Sequence, residues 1–582
     1  AGDVAQLELT GLEVTQAIQN LEDSVVLIQD RPTYVRAHVR STSGTVNDVT
    51  AELIGRRDGN PLAGSPLQLA NTGGNIDILE NPNRSQLNDS FYFELPAAWR
   101  SGTIELEFHG VNRTIACADH AGTDNDCKVQ VTFTDSPAAD VRFVGIVWKD
   151  GDVRHVPTWG DIEAVAQEID STFPIPSLTW DYQYDIEPVF FAVQPDDVLD
   201  FLRMISMLSI SRTLDGCISS WPVNCTRYYL GILVDPPASG VMGASFVPSD
   251  VAVAYYTFPT DGFFTPAHEF GHSAGREHTY CNGDEDDPDP DYPYSDGHIS
   301  EDTTGDNAFF GFDINTMRIY GPGTGDLISY CTPNWPSDWT YTHIRDQFVS
   351  RYGTMATNAL TLIEGEPAVL VSGTVTPALD TGELGSVINI ASPVSITAPV
   401  PGSYTIRFEN NTGQILASYD FEPQYVVESR TGAADNEDEI GTFALLLPRN
   451  LETARIVLLQ NSQVLDTRLA SLNPPSVEVT FPNGGETLSG SSAVVTWTAS
   501  DLDANPLTYV VQYSTDNGST WETLVSEWTI TSYELNLDVL PGTNQGLIRV
   551  LASDGFLTAQ DQSNGTFVVG KHAPLPTIQS PE

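Results

Sequence analysis

Three of the ten histidines in this 582-residue chain fall between His268 and His278, in the string HEFGHSAGREH. His268 and His272 are spaced i, i+4, which on a helix puts both imidazoles on one face, a turn apart. That spacing lets them converge on one ion at Zn–N distances of about 2.0–2.1 Å. Thr265 and Pro266 fit a helix start, as N-cap and first-turn proline. Glu269 lies beside the first histidine, where its carboxylate can take a proton from an attacking water. Gly275 follows the second histidine by three residues; glycine allows the left-handed turn that ends the helix and folds the chain back. His278 then supplies a third nitrogen and leaves a fourth coordination position open, the mark of a catalytic zinc. The expected cofactor is one catalytic Zn2+ on His268, His272 and His278, with Glu269 as general base. A bare H-E-x-x-H arises by chance on solvated helices, but here the glycine and third histidine are also in place.

The string has the form H-E-x-x-H-x-x-G-x-x-H and resembles the metzincin zinc endopeptidases. The resemblance implies an α/β (α+β) protease domain whose three histidines bind zinc and whose glutamate is the base. It covers His268–His278 and extends to the mixed α/β segment around it, not to the rest of the chain. Metzincins also carry a Met-turn beneath the zinc. The segment GDLISYCTPNWPSDWTY resembles that region, with Ile328-Ser329-Tyr330 where the family has Met-Ser-Tyr. Isoleucine at the methionine position is a volume-conserving change of under about 1.5 kcal/mol, so an altered site floor and an active enzyme are expected. Tyr330, two residues on, has two open roles: a second catalytic group near the metal, as in some metzincins, or a buried aromatic. The layout also looks like secreted, multidomain bacterial metzincins, some acting on glycoproteins. By the same resemblance, GASFVPSDVAVAYY is an edge strand that could hold an extended substrate by strand addition.

The elements that must position these residues divide into five segments. Residues 1–137 read as a β-sandwich: Val35, Ala37 and Val39 alternate, as do Phe91, Phe93 and Leu95, and Ile104, Leu106 and Phe108. Residues 138–353 read as the mixed α/β catalytic domain. Ile162, Val165 and Ile169 fall at helical spacing there, VLDFLRMISML is a second apolar helix, and VRFVGIVW and RYYLGILV are central strands. Residues 354–473 return to β, with Asn411-Thr412-Gly413 at a hairpin turn. Residues 474–570 resemble a fibronectin-III or immunoglobulin-like module, with Trp497 and Trp521 read as core aromatics ahead of the alternative, a carbohydrate-binding role. Residues 571–582 read as a linker-like tail. The expected fold class is therefore a multidomain chain in which all-β sandwich domains flank a metzincin-like α/β protease domain.

Against 26 basic side chains stand 78 acidic ones, a formal net charge of −52, which disfavours nucleic acid and anionic membranes as partners. No apolar run approaches the roughly 18 residues needed to span a bilayer. No signal peptide is visible, so a secreted protein would already have lost its targeting segment. Six cysteines without C-x-x-C favour disulfides, with Cys117–Cys127, Cys217–Cys225 and Cys281–Cys331 as the expected neighbour pairs and an oxidising, extracellular setting. The acidic loop NGDEDDPDPDYPYSDG makes Ca2+ a second possible ion, although it has no EF-hand spacing. His298 and His343 are read as structural. The expected protein is a secreted, monomeric zinc endopeptidase acting on protein, peptide or glycoprotein substrates. The alternatives are a catalytically weak or inactive metzincin-like adhesin or carbohydrate-binding protein, and a zinc hydrolase acting on something other than peptides.

Overall fold

The computed structural model describes residues 6–118, 127–186, 194–217, 225–238, 240–257, 263–281, 288–353, 360–362, 364–397, 399, 401–431, 440–538 and 540–570. The architecture is multidomain and mostly β, with four α-helices among the described residues. These are α1 (Trp159–Thr172), α2 (Val198–Leu214), α3 (Thr265–Ser273) and α4 (Asp338–Gly353). None is long and apolar enough to cross a membrane. The chain packs into two compact units, each assembled from separate stretches of sequence.

The first unit comprises residues 1–139, 163–179 and 257–353. Its N-terminal part is a β-sandwich. One sheet runs Phe91–Glu94, Tyr34–Ser41, Leu7–Thr15, Ile115–Cys117; the other runs Leu27–Ile28, Lys128–Thr134, Thr103–Gly110, Ala51–Arg57, Asn60–Pro61. Val35, Ala37, Phe91, Phe93, Ile104, Leu106 and Phe108 bury their alternating faces in one core, as the period of two requires.

The opposite face of Tyr34–Ser41 is not solvated as its polar residues would suggest. Arg36 and Glu13 are fully buried there and His38 nearly so. Glu13 receives Arg36, Arg84 and His38 at 3.3, 3.2 and 2.9 Å, and Arg84 donates to the Ala308 carbonyl. The cover comes from the segment after the histidine cluster: Ile18–Gln19 pairs with Phe310–Phe312, and Trp335 Nε1 donates to Ala17 O. Arg31, also fully buried, caps the end of α1 by donating to the Ser171 and Ile175 carbonyls. The N-terminal sandwich thus serves as the base on which the histidine region is built.

The second unit comprises residues 140–162, 180–256 and 354–582. Its largest sheet has nine strands, in the order Leu178–Ile186, Ala139–Ile146, Arg227–Leu233, Val251–Tyr255, Gly240–Phe246, Gln424–Thr431, Gly441–Pro448, Pro367–Thr376, Thr381–Ala391. Ala139–Ile146, Arg227–Leu233 and Val251–Tyr255 are mutually parallel, and Gly240–Phe246 is antiparallel. The expected substrate-holding edge is therefore not free. Gly240–Phe246 has Val251–Tyr255 on one side and Gln424–Thr431 on the other, so its backbone groups are already paired.

A four-stranded sheet, Ile415–Phe421, Tyr404–Glu409, Arg455–Gln460 and Gln463–Leu469, completes the next β region. Its hairpin turns through Gly413, at φ +81°. The C-terminal module is a two-sheet sandwich around Val479, Trp497, Tyr513, Ile548 and Phe567. Trp497 lies in that core, but Trp521 does not: its ring is partly exposed, under the guanidinium of Arg549 at 4.2 Å. Residues 571–582 lie outside the described residues.

Candidate metal centre

Helix α3 carries His268, Glu269 and His272, all fully buried. Its first residue is Thr265 and its N-cap is Phe264, one residue earlier than the sequence suggests, with no side-chain cap of its own. The missing cap comes from α1: Glu168 Oε1 accepts the Ala267 N–H at 3.1 Å. Burial raises the Glu168 carboxyl to about 8, a shift the Ala267 N–H only partly offsets. Phe270 packs behind the helix against Phe173 and Phe348, with ring centroids at 4.8 and 6.3 Å. The face of α3 that carries the histidines is thereby fixed from behind.

The end of α3 follows from Gly275. At φ +81° it adopts the left-handed conformation; its N–H reaches His272 O at 2.8 Å, and the Arg276 N–H reaches Gly271 O at 3.1 Å. These two bonds form a Schellman motif, which turns the chain back. The turn does two jobs: it brings His278 to the other histidines and places Arg276 O 2.7 Å from His272 Nδ1. His268 Nδ1 similarly lies 2.9 Å from Leu327 O. Each carbonyl can only accept, so Nδ1 carries the proton in both rings and the Nε2 lone pair is left for a ligand.

His272 Nε2 lies 3.1 Å from His268 Nε2 and 3.1 Å from His278 Nε2. Burial first, and then the neighbouring imidazole charge, holds His268 and His278 well below the ordinary histidine pKa; burial lowers His272 to about 4. Three neutral rings thus offer lone pairs at one point. A tetrahedral ion with Zn–N bonds of about 2.0–2.1 Å separates its ligand nitrogens by about 3.3 Å, close to what is seen. The donor set therefore fits zinc, which takes imidazole nitrogens readily, and the carbonyls of Leu327 and Arg276 fix the tautomers of His268 and His272.

Beneath the histidines lies the turn Asp326–Ser329. Asp326, fully buried, accepts from Ile328 N at 2.9 Å, Thr340 Oγ1 at 3.0 Å and Ser337 N at 3.0 Å. Asn334 Nδ2 holds the Leu327 carbonyl at 3.1 Å, the same oxygen that faces His268. Ile328 is fully buried, and its Cδ1 sits 2.2 Å from where a Cβ on Gly271 would be. Isoleucine thus forms the floor under α3, and the glycine between His268 and His272 makes room for it. The Tyr330 ring lies 4.7 Å from that of His278 and 6.0 Å from that of His268, centroid to centroid.

The three expected disulfides are present: Cys117–Cys127, Cys217–Cys225 and Cys281–Cys331. The last joins the chain just after His278 to the end of the turn. His298 pairs with Asp296 and His343 Nδ1 with Trp339 O, so neither joins the ligand cluster. Of the acidic loop, residues 282–287 lie outside the described residues, and Asp289 is engaged by Arg276. Reading the sequence missed Glu168, Asp326 and Asn334, the groups that hold the site. The signal for Glu168 was its place on the apolar face of α1, three residues after Val165 and next to Ile169.

No family model and no curated protein matches the chain. A solved structure concerning Dscam isoform specificity aligns over 96% of this chain and 100% of its own, at 8% identity and a TM-score of 0.12. The N-terminal four Ig domains of Dscam1 isoform 4.44 align over the same shares at 8% identity and a TM-score of 0.11. TM-scores this low carry no argument about fold or function.

Proposed function

We propose that the chain is an extracellular zinc-dependent endopeptidase of metzincin type, with His268, His272 and His278 as ligands and Glu269 as general base. The observation that supports this most is the convergence of three imidazoles, with His272 Nε2 at 3.1 Å from both His268 Nε2 and His278 Nε2, and with Nδ1 of His268 and His272 held by a backbone carbonyl. When bound, zinc supplies Lewis acidity, polarising a scissile carbonyl and lowering the pKa of water to about 7. The protein supplies the rest. Glu269 takes the proton from the attacking water and delivers it to the leaving amine. Leu327 O and Arg276 O keep His268 and His272 in the tautomer that can bind. Tyr330 is the candidate for stabilising the oxyanion, from its place beside His278.

Mixed α/β elements precede α3 in the chain: three parallel strands, an antiparallel one, and the apolar helix α2. That order supports the family reading. Three disulfides suit an oxidising compartment outside the cell. The test is metal analysis of the purified chain together with cleavage of a broad protein and glycoprotein library. Zinc without cleavage favours the inactive adhesin reading.

A further inference from the structure

The C-terminal module carries a polar arrangement that its own core does not need. In its larger sheet, Gln512 pairs directly with Thr523 on one neighbouring strand and with Arg549 on the other. Directly paired residues share a face of the sheet. Val511, Tyr513, Ile548 and Val550 alternate to the opposite face and fill the core. Gln512 is nearly fully buried; its Nε2 donates to Thr523 Oγ1 at 3.0 Å, which fixes the amide. Its Oε1 receives both Nε and Nη2 of Arg549, at 2.8 and 2.6 Å. The guanidinium is stacked over Trp521 at 4.2 Å.

Among the described residues, Arg549 is thus locked in place by neutral groups alone. Burial lowers its pKa to about 10, with no carboxylate near enough to offset the loss. The contrast with Arg142 is sharp, since that buried guanidinium meets Asp181 at 2.8 Å and Glu522 at 3.2 Å. In a chain with three acidic side chains for every basic one, a part-buried cation held without a counter-charge among the described residues calls for an anion from outside. Among the described residues Nε and Nη2 are engaged by Gln512, which leaves Nη1 to donate, and Arg549 lines a cavity of about 470 Å3 together with Trp521, Ser519, Thr520 and Gln560. That volume is in the range of small-ligand sites, about 300–1,000 Å3.

The walls narrow the class of ligand. Asp215 lines the same cavity, but its carboxylate already accepts from Tyr229, Arg142 and Thr523 N, so it does not neutralise Arg549. With Glu364 also on the wall, one cation suits a single negative charge better than a phosphate. Ser519 Oγ and Thr520 Oγ1 donate to Asp516, which leaves their lone pairs to accept hydroxyls. We propose that this cavity binds an acidic sugar unit, a uronic or sialic acid, with its carboxylate on Arg549 Nη1 and its hydroxyls on Ser519, Thr520 and Gln560. The proposal rests on no part of the peptidase reading, and it gives the module a role in holding acidic glycans.

The test is calorimetric titration of the full chain with glucuronate, N-acetylneuraminate, glucose and acetate. One or both acidic sugars should bind, with glucose and acetate weaker by roughly ten-fold or more. Which acid binds distinguishes the two sources. Arg549→Gln should lose the same roughly ten-fold. Gln560→Ala, on the exposed rim, should weaken binding without disturbing the fold and serves if the arginine variant unfolds. No binding of either acid at millimolar concentration overturns the proposal. So does acetate binding as tightly as the sugars, or undiminished binding by a folded Arg549→Gln chain together with Gln560→Ala.

Discussion

Replacing Gly271 with alanine tests whether Ile328 is the floor of the site. Gly271 lies on α3 between His268 and His272, and the new Cβ would meet Ile328 Cδ1 at 2.2 Å. Carbon atoms prefer about 3.5–4.0 Å, so the isoleucine must move. Overpacking of this kind costs about 1–3 kcal/mol. Alanine in place of glycine within a helix returns about 1 kcal/mol. The net expectation is a loss of up to about 2 kcal/mol. Ile328→Val removes Cδ1 and alone costs about 0.5–1.5 kcal/mol. In the double variant the added methyl occupies the vacated space, so the two changes should be non-additive by about 1–2 kcal/mol. Hydrogen exchange of the peptide covering 265–273, in all four proteins, reads this locally in a multidomain chain. Zinc affinity gives a second readout, because Leu327 O, next to Ile328, orients His268. Additive effects, or a Gly271→Ala chain more stable than its parent, would refute the reasoning.

Three further outcomes follow from the first unit. Removing Cys281–Cys331 by a double serine substitution frees a loop with a sequence separation of 50 residues; it should cost roughly 4 kcal/mol, seen as faster exchange in the turn at 326–331. Asp326→Asn replaces one acceptor oxygen with a donor facing N–H or O–H groups, at about 1–3 kcal/mol, and zinc affinity should fall with it. Acid should destabilise the sandwich through His38 and Glu13. Burial lowers His38 to about 4; burial alone would raise Glu13, but Arg84 and Arg36 outweigh it and hold it well below the carboxylate range. Both groups bind protons more weakly folded than unfolded. Their contribution is complete above about pH 6.5 and is lost as pH falls, by about 3 kcal/mol for His38 between pH 6.5 and 4 and further for Glu13 below about 4.5. Thermal unfolding from pH 7 to 4 measures it, and His38→Gln should flatten the upper part of the curve.

How much of this was legible in the sequence depended on how local the cause was. The ligand spacing, the αL glycine at Gly275 and the alternating faces around Val35, Phe91 and Leu106 are properties of a few consecutive residues, and they read directly. Trp521 was misread as core because aromatic residues in a strand-rich module usually face inward; only the position of Arg549 over its ring shows otherwise. The buried cluster of Glu13, Arg36 and Arg84 has no local signature, since its cover arrives from around residue 308. Glu168 shows on the apolar face of α1, but the amide it caps lies 99 residues away; Asp326 and Asn334 act within an irregular turn and its flanks, where no period of 2 or 3.6 marks them. The free edge expected within GASFVPSDVAVAYY failed because its cover is remote in sequence: Gly240–Phe246 pairs with a strand that begins at Gln424.

The most direct measurement pairs metal content with cleavage in the parent chain and in Glu269→Gln. The account predicts one zinc per chain in both, and protein or glycoprotein cleavage that falls by roughly a hundred- to ten-thousand-fold in the variant. A parent chain that binds no zinc, or that holds it fully and cleaves no protein, proteoglycan or mucin, would contradict the account. A Glu269→Gln chain as active as its parent would do the same.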